Sequence, residues 1–221
     1  MNFISDWGDN FPTLFEGLLV SLKVTFGALA IGLPLGLLLA LGNSSRNWVL
    51  RALTIGIVEL GRGMPALVVL QIFYFGMPGF GVTISSLISA IVALSLTTAA
   101  YTSEIIRGGL QAVPSGEVEA ADALGMNRFD TLRYVVIPQG LRIAIPPLMG
   151  FGVLVFQMSS LAYTIALPEL LGQAYSIGSS TFRYLSVLTL AGLMYAAVTI
   201  PASLLTDRAQ ARMSRHLNRA A

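Results

Sequence analysis

Apolar positions come in long unbroken runs along this chain, and the polar ones between them are too sparse to cover a soluble surface. Charged residues are absent from 24–45, 63–103, 143–168 and 184–206. A helix needs about 20 apolar residues to cross a bilayer, so the first, third and fourth runs each predict one span. The second run is too long for one, and its "GMPGFG" (76–81) has the Gly and Pro density of a turn. It therefore predicts two spans. The expected fold is an all-α membrane protein with helices at about 17–42, 53–75, 83–107, 137–164 and 185–206. A cytoplasmic loop over about 108–136 completes a single domain covering 1–221.

Composition agrees. The 221 residues are 55% hydrophobic and 11% charged, with a mean hydropathy of +0.75, whereas soluble domains are about 25% charged. Without cysteine there is no disulfide or thiolate metal site, and no metal or nucleic-acid site is expected. The opening "MNFISDWGDN" lacks the basic segment of a cleavable signal.

Orientation follows from the basic residues, which favour the cytoplasmic side. With the N-terminus outside, the inner segments hold Arg46, Arg51, Arg107, Arg128, Arg133, Arg142, Arg208, Arg212, Arg215 and Arg219. The outer segments hold Arg183, set against Asp6, Asp9 and Glu169. The tail "DRAQARMSRHLNRAA" then reads as a basic helix at the anionic inner leaflet, and its His216 has no chemical role. Within the first span, Ala28, Gly32, Gly36 and Ala40 recur every four residues and make one face of small side chains for close helix packing. The pattern does not say whether the partner helix lies in the same chain. Pro34 frees a carbonyl in this span, and Lys23 is expected to snorkel to the outer headgroups rather than contact the substrate.

The stretch "PSGEVEAADALGMNRFDTLRYVVIPQGLR" (114–142) interrupts this apolar chain with charge. Ser115 or Gly116 can cap a helix there, Glu117 and Glu119 suit its first turns, and Gly125 suits its end. Nine residues of helix span about 14 Å, too short to cross. Asn127, with Asp130 three residues on, caps a second helix running toward Pro138. The short helix has Val118, Ala121 and Leu124 along one side. That suits either docking into a groove on another protein or lying in the headgroups.

The residues resemble a known family. Glu119-Ala120-Ala121, three residues, Gly125, nine residues and Val135-Val136-Ile137-Pro138 are similar to the EAA loop of ATP-binding-cassette importer permeases, with Val135 for Ile and Ile137 for Leu. "ELGRGMPALVVLQIFYFGMPG" (59–79), "AAYTSEIIRGGLQAVPSGEVEAA" (99–121) and "IPQGLRIAIPPL" (137–148) resemble the polar-amino-acid branch. The resemblance implies a type I importer permease with five spans and a coupling helix carrying Glu117, Glu119, Ala120, Ala121, Asp122, Leu124 and Gly125. It implies a second permease copy or a related permease, two ATPase subunits and an extracytoplasmic amino-acid-binding protein. ATP and Mg would sit on the ATPases, with no cofactor or catalytic group on this chain. The sequence itself has no G-x-x-x-x-G-K-[ST] loop to cradle phosphates.

For the solute pathway, Glu59 and Arg62 are spaced to pair on one helix face, as are Glu104 and Arg107. Either pair serves helix packing or the pathway. Arg62, Gly63, Met64 and Pro65 are the stronger pathway candidates, because Pro65 and Gly63 break the helix near mid-membrane and expose backbone groups. The family pattern there is R-G-T-P, and Met64 removes its hydroxyl. In "GFGVLVFQMSSL" (150–161), Gln157 and Met158 stand where the family has a lysine and an aspartate, while Ser159 and Ser160 keep the hydroxyls of its T-S pair. The change removes both charges and argues against a contact between this subunit and a charged substrate group; a heterodimer whose partner carries the charges, or a different substrate, explains it. Ser159 and Ser160 serve either the pathway or interhelical hydrogen bonding. "SSLAYTIALPELL" (159–171) resembles acidic-amino-acid permeases, so an acidic amino acid is the expected solute. A carrier or channel working alone fits less well, since five spans do not divide into inverted halves. A scaffold leaves the EAA-like loop unexplained.

Overall fold

The computed structural model describes residues 3–217, with side chains from Asp6 to Ala211; Arg219 and the side chains of Arg212, Arg215 and His216 lie outside the described residues. The described residues are helical and contain no strand. The long helices are α1 (Phe3–Asn43), α4 (Ser86–Gln111), α7 (Ile137–Met158) and α9 (Tyr184–Leu217). Shorter ones are α2 (Trp48–Gly63), α3 (Ala66–Gln71), α5 (Ser115–Ala123), α6 (Arg128–Asp130) and α8 (Leu170–Thr181).

Four continuous stretches are long and apolar enough to cross a membrane: Asp6–Asn43, Ser86–Gln111, Arg128–Ile165 and Tyr184–Ala211. The second expected span is not a straight helix. Trp48–Gly63 and Ala66–Phe80 meet at 98° and supply a fifth crossing when taken together. Met64 and Pro65 are both extended, with ψ of 132° and 133°, and Pro65 has no N–H to continue the helix. The turn over "GMPGFG" forms as expected, with Gly81 left-handed at φ 77°. Two wide π-turns, Ile72–Gly76 and Thr131–Val136, each end two residues before a proline, Pro78 and Pro138. A proline withholds its N–H from the carbonyl four residues back and crowds it, so the helix widens there.

α4 is the central helix. The small-residue face of α1 packs on it, which settles the partner left open by the pattern: it is in the same chain. Ala28 and Ala40 are buried there. A Cβ on Gly32 would stand 2.5 Å from Thr98 Cβ, and one on Gly36 would stand 2.1 Å from Thr102 Oγ1. α4 answers with small hydroxyl residues that bond back along their own helix. Ser95 Oγ donates to the Ile91 carbonyl at 2.6 Å and Thr102 Oγ1 to the Thr98 carbonyl at 2.7 Å. Such local bonds satisfy hydroxyls where no water reaches.

Two apolar clusters hold the bundle. One joins α1, α3, α4 and α7 through Val24, Leu70, Leu94 and Val155. The other joins α1 to α8 and α9 through Leu14, Leu170, Val187 and Phe156. Many large apolar side chains face outward, including Phe26, Leu38, Leu60 and Ile200. That is the surface a lipid-solvated helix presents. Lys23 is exposed, in keeping with snorkelling.

Candidate functional site

Two backbone irregularities face each other and define a cavity of about 570 Å³. One is the break at Met64–Pro65. The other is the end of α7, where Ser159–Ile165 tightens into a 3-10 helix. Broken helices in membranes occur where they line a cavity, because freed backbone groups need partners there. Arg62, Gly63, Met64, Pro65, Gln157 and Ser160 all line it, six of the seven residues expected in the pathway. Thr97, Tyr101, Phe151, Leu154 and Met158 complete most of the wall.

Ser159 is the exception. It is fully buried away from the cavity, donates to the Phe156 carbonyl at 2.7 Å and neighbours the Tyr195 hydroxyl. Ser160 donates within its own helix, to the Gln157 carbonyl. Sequence reasoning missed Tyr101. Its hydroxyl donates to the Arg62 carbonyl at 3.3 Å, and its ring stacks on Phe151 and lies 6.0 Å from the Arg62 guanidinium. Thr97, Tyr101 and Glu104 recur at helical spacing on α4, a signal that could have found it.

Arg62 is the one charged residue among those lining this cavity. Its Nη1 stands 3.6 Å from Glu59 and 3.9 Å from Glu104 on α4. Glu104 is held far more tightly by Arg107, at 2.6 to 3.1 Å. The two expected pairs therefore exist and are joined into one chain of charge across α2 and α4.

The second candidate feature is the short helix of the charged interruption. Its N-cap position is taken by Pro114, with Ser115 as the first helical residue, so neither Ser115 nor Gly116 caps it. Pro at this point suits a helix start because its missing N–H would be unpaired anyway. Gly125 ends the helix at φ 78°, with Gly125 N–H bonded to the Asp122 carbonyl and Met126 N–H to the Ala121 carbonyl. This is a Schellman closure, and the left-handed residue is glycine because a Cβ is costly there. Asn127 caps the next turn as expected, accepting from the Asp130 N–H at 3.0 Å.

The apolar side of α5 is not wholly free for a partner. Ala121 is buried and Val118 half-buried against the same chain, while Gln139 on α7 donates to Glu117 at 3.2 Å. Glu119, Ala120, Asp122, Leu124 and Gly125 face outward, and Leu124 is 83% exposed, with Phe129 close by in sequence at 67%.

Sequence reasoning also missed α8, at 12 residues too short to register as a span. Its N-cap Glu169 is fully buried, yet it accepts from the Leu171 and Gly172 N–H groups, the Ser21 hydroxyl and the Tyr195 hydroxyl. Burial pushes its carboxyl above the ordinary range, and those hydrogen bonds pull it back. The turn that follows α8 is tied to α1 by an Arg183–Asp6 ion pair.

The family model described as binding-protein-dependent transport system inner membrane component matches residues 32–219. The chain belongs to this family. The permease is 34% identical over 213 residues to the glutamate/aspartate import permease protein GltK of Escherichia coli O6:H1, covering 91% of this chain and 95% of GltK. It is 35% identical over 219 residues to the nopaline transport system permease protein NocM of Agrobacterium fabrum, covering 95% of this chain and 91% of NocM. A crystal structure of an amino acid ABC transporter with histidines superposes with a TM-score of 0.91 at 33% identity, covering 96% of this chain and 99% of that one. The permease is thus an amino-acid ABC transporter permease with the fold of a type I importer subunit, a multi-pass protein of the inner membrane.

Proposed function

We propose that the permease forms the translocation pathway for a polar amino acid, with an acidic amino acid preferred, in an ATP-driven importer. An extracytoplasmic binding protein delivers the solute. Two ATPase subunits hold ATP and Mg and drive the cycle through α5, and a second copy or a related permease closes the pathway. The N-terminus faces outside and the C-terminus the cytoplasm, in line with the distribution of arginines. This chain contributes no catalytic group.

The observation that carries the reading is a cavity beside a broken membrane helix with Arg62 as its charged lining residue. A guanidinium is a fork of donors matched to a carboxylate. Its neighbours Thr97, Tyr101, Gln157 and Ser160 add neutral polar groups, and the remaining wall is apolar. A volume of about 570 Å³ falls within the usual range for small-molecule sites. With Gln157 and Met158 at the end of α7, the solute's negative charge has Arg62 alone to meet on this half of the pathway. The resemblance of "SSLAYTIALPELL" to acidic-amino-acid permeases supports the same solute class.

On the cytoplasmic side, the outward row of Glu119, Ala120, Asp122, Leu124 and Gly125 offers a docking strip at a rigid, capped helix. α5 packs on the Thr131–Val136 turn that leads into α7, and Gln139 of α7 donates to its Glu117, so a push on the strip reaches the helix whose other end lines the cavity. Rigid-body motion of packed helices is a standard route for such a change.

The test is ATP hydrolysis by the reconstituted complex with its binding protein, measured across the common amino acids. Glutamate or aspartate should stimulate most, and Arg62→Gln should raise the half-stimulating concentration. Greatest stimulation by a cationic or an apolar amino acid overturns the solute class, and no stimulation by any of them overturns the importer reading.

A further inference from the structure

We infer that Glu104 competes with the solute's carboxylate for Arg62, and so acts as a positioning residue at a charge gate between the central cavity and a second, cytoplasmic-side cavity. This rests on the proposed reading that the central cavity seats an amino acid.

The second cavity, of about 390 Å³, is lined by polar and charged groups that include Asn43, Arg51, Glu59, Glu104 and Arg107. Arg62 lines the central cavity, whereas its two carboxylate neighbours line the second. The triad of Arg62, Glu59 and Glu104 therefore has a member on the central cavity and two on the second.

The distances rank the members of this triad. Arg107 holds Glu104 with donors at 2.6, 3.0 and 3.1 Å and is itself braced by Gln111 at 2.9 Å. Glu104 is thus fixed to its own helix. Arg62 lies 3.6 and 3.9 Å from its two carboxylates, beyond hydrogen-bonding distance, and has no side-chain hydrogen bond among the described residues. It is attracted to both without a directional bond to either.

Tyr101 tethers the Arg62 carbonyl and lies 6.0 Å from its guanidinium, which no hydrogen bond fixes among the described residues. A solute carboxylate in the central cavity can give Arg62 the paired, short hydrogen bonds it lacks. Doing so draws it from Glu104 and removes an electrostatic tie between α2 and α4. Occupancy of the centre thereby loosens the wall that stands between the solute and the cytoplasmic side.

Removing the competing charge should tighten solute binding, the reverse of what loss of a merely structural ion pair does. The experiment is equilibrium binding of radiolabelled L-glutamate and L-glutamine to the permease–ATPase complex in lipid nanodiscs, without binding protein. Glu104→Gln should lower the half-saturating concentration about two- to fivefold, the scale of a partly exposed ion pair, and lower the maximal stimulated ATPase rate. Glu104→Asp keeps the charge at a longer reach and should give values between those of Glu104→Gln and the native complex. Arg62→Gln should weaken binding at least fivefold.

Unchanged or weaker binding by Glu104→Gln with a native melting temperature overturns the inference. If that variant melts early, Glu59→Gln decides instead: its carboxylate is more exposed, so it should tighten binding by a smaller factor, and no tightening overturns the inference. Native binding by Arg62→Gln, or no binding of either probe by the wild-type complex, overturns the substrate reading and this inference with it. Weakened binding by Arg62→Gln without tightening by Glu104→Gln overturns this inference alone.

Discussion

Gly109 and Gly140 bring α4 and α7 together backbone to backbone on either side of the charged loop: a Cβ added to Gly109 would lie 2.5 Å from the Gly140 carbonyl oxygen. The reverse substitution fares no better, since a Cβ on Gly140 would lie 2.7 Å from Leu110 Cα. At each glycine a main-chain atom is among the nearest neighbours, so relief requires the helices to separate. α5 hangs from this junction, and a push on α5 therefore reaches both helices at once. Gly109→Ala or Gly140→Ala should cost about 1–3 kcal/mol, as overpacking does. It should also lower the ratio of solute transported to ATP hydrolysed. A melting curve and a paired transport and ATPase assay check the two effects.

The outward strip of α5 predicts a separation between folding and coupling. Glu119 is exposed and makes no side-chain hydrogen bond or ion pair among the described residues. Glu119→Lys should leave the melting temperature within the small range of surface substitutions, about 0.5 kcal/mol. It should also abolish ATP-driven uptake. Gly125→Val acts differently, since a β-branched residue at φ 78° is strained by about 1–2 kcal/mol or more. It should unravel the Schellman closure and lose both uptake and ATPase copurification. Normal uptake by Glu119→Lys would remove the docking role from this strip.

What the sequence made legible was whatever a run length or a spacing could express. The apolar runs located the long apolar helices, the glycine and alanine repeat located the seam of α1, and Pro65 located the break, because each is a local property. The spacing of Glu59 and Arg62 gave their pairing, but not Glu104 as the third member, which lies on another helix and enters only through tertiary packing. α8 escaped because 12 residues are too few to register as a crossing. Its cap, Glu169, looked like an ordinary outer charge, since burial is a property of the folded bundle. The apolar side of α5 misled for the same reason: periodicity shows which residues share a face, not whether the chain itself already covers it.

Glu169 predicts a pH dependence with a definite sign. Burial raises its folded pKa above the unfolded value of about 4.3. The folded state thus holds the proton more strongly. The resulting stabilisation is complete below the unfolded pKa and is lost as pH rises through the folded one. Melting temperature in detergent should fall over that interval, and Glu169→Gln should flatten the fall. Glu169→Leu goes further, because Ser21, Tyr195 and two N–H groups lose their acceptor. It should destabilise by at least about 1–3 kcal/mol, the cost of leaving a buried donor without a partner.

The chain contains no cysteine, so single cysteines can report which side of the membrane each loop occupies without prior mutation. Phe182, at the end of α8, is 86% exposed; Leu124 on the charged loop and Trp48 at the start of α2 are 83% and 78% exposed. An odd number of crossings separates Trp48 and Leu124 from Phe182 only if Trp48–Phe80 behaves as one bent span rather than a re-entrant loop. An impermeant maleimide should therefore label Phe182→Cys in intact cells, and Trp48→Cys and Leu124→Cys only after permeabilisation. Labelling of Trp48→Cys and Leu124→Cys from opposite sides would show that the bent pair enters and leaves by the same face. Arg62 and the cavity it lines would then sit in a re-entrant hairpin, and the arginine count behind the proposed orientation would have to be redrawn.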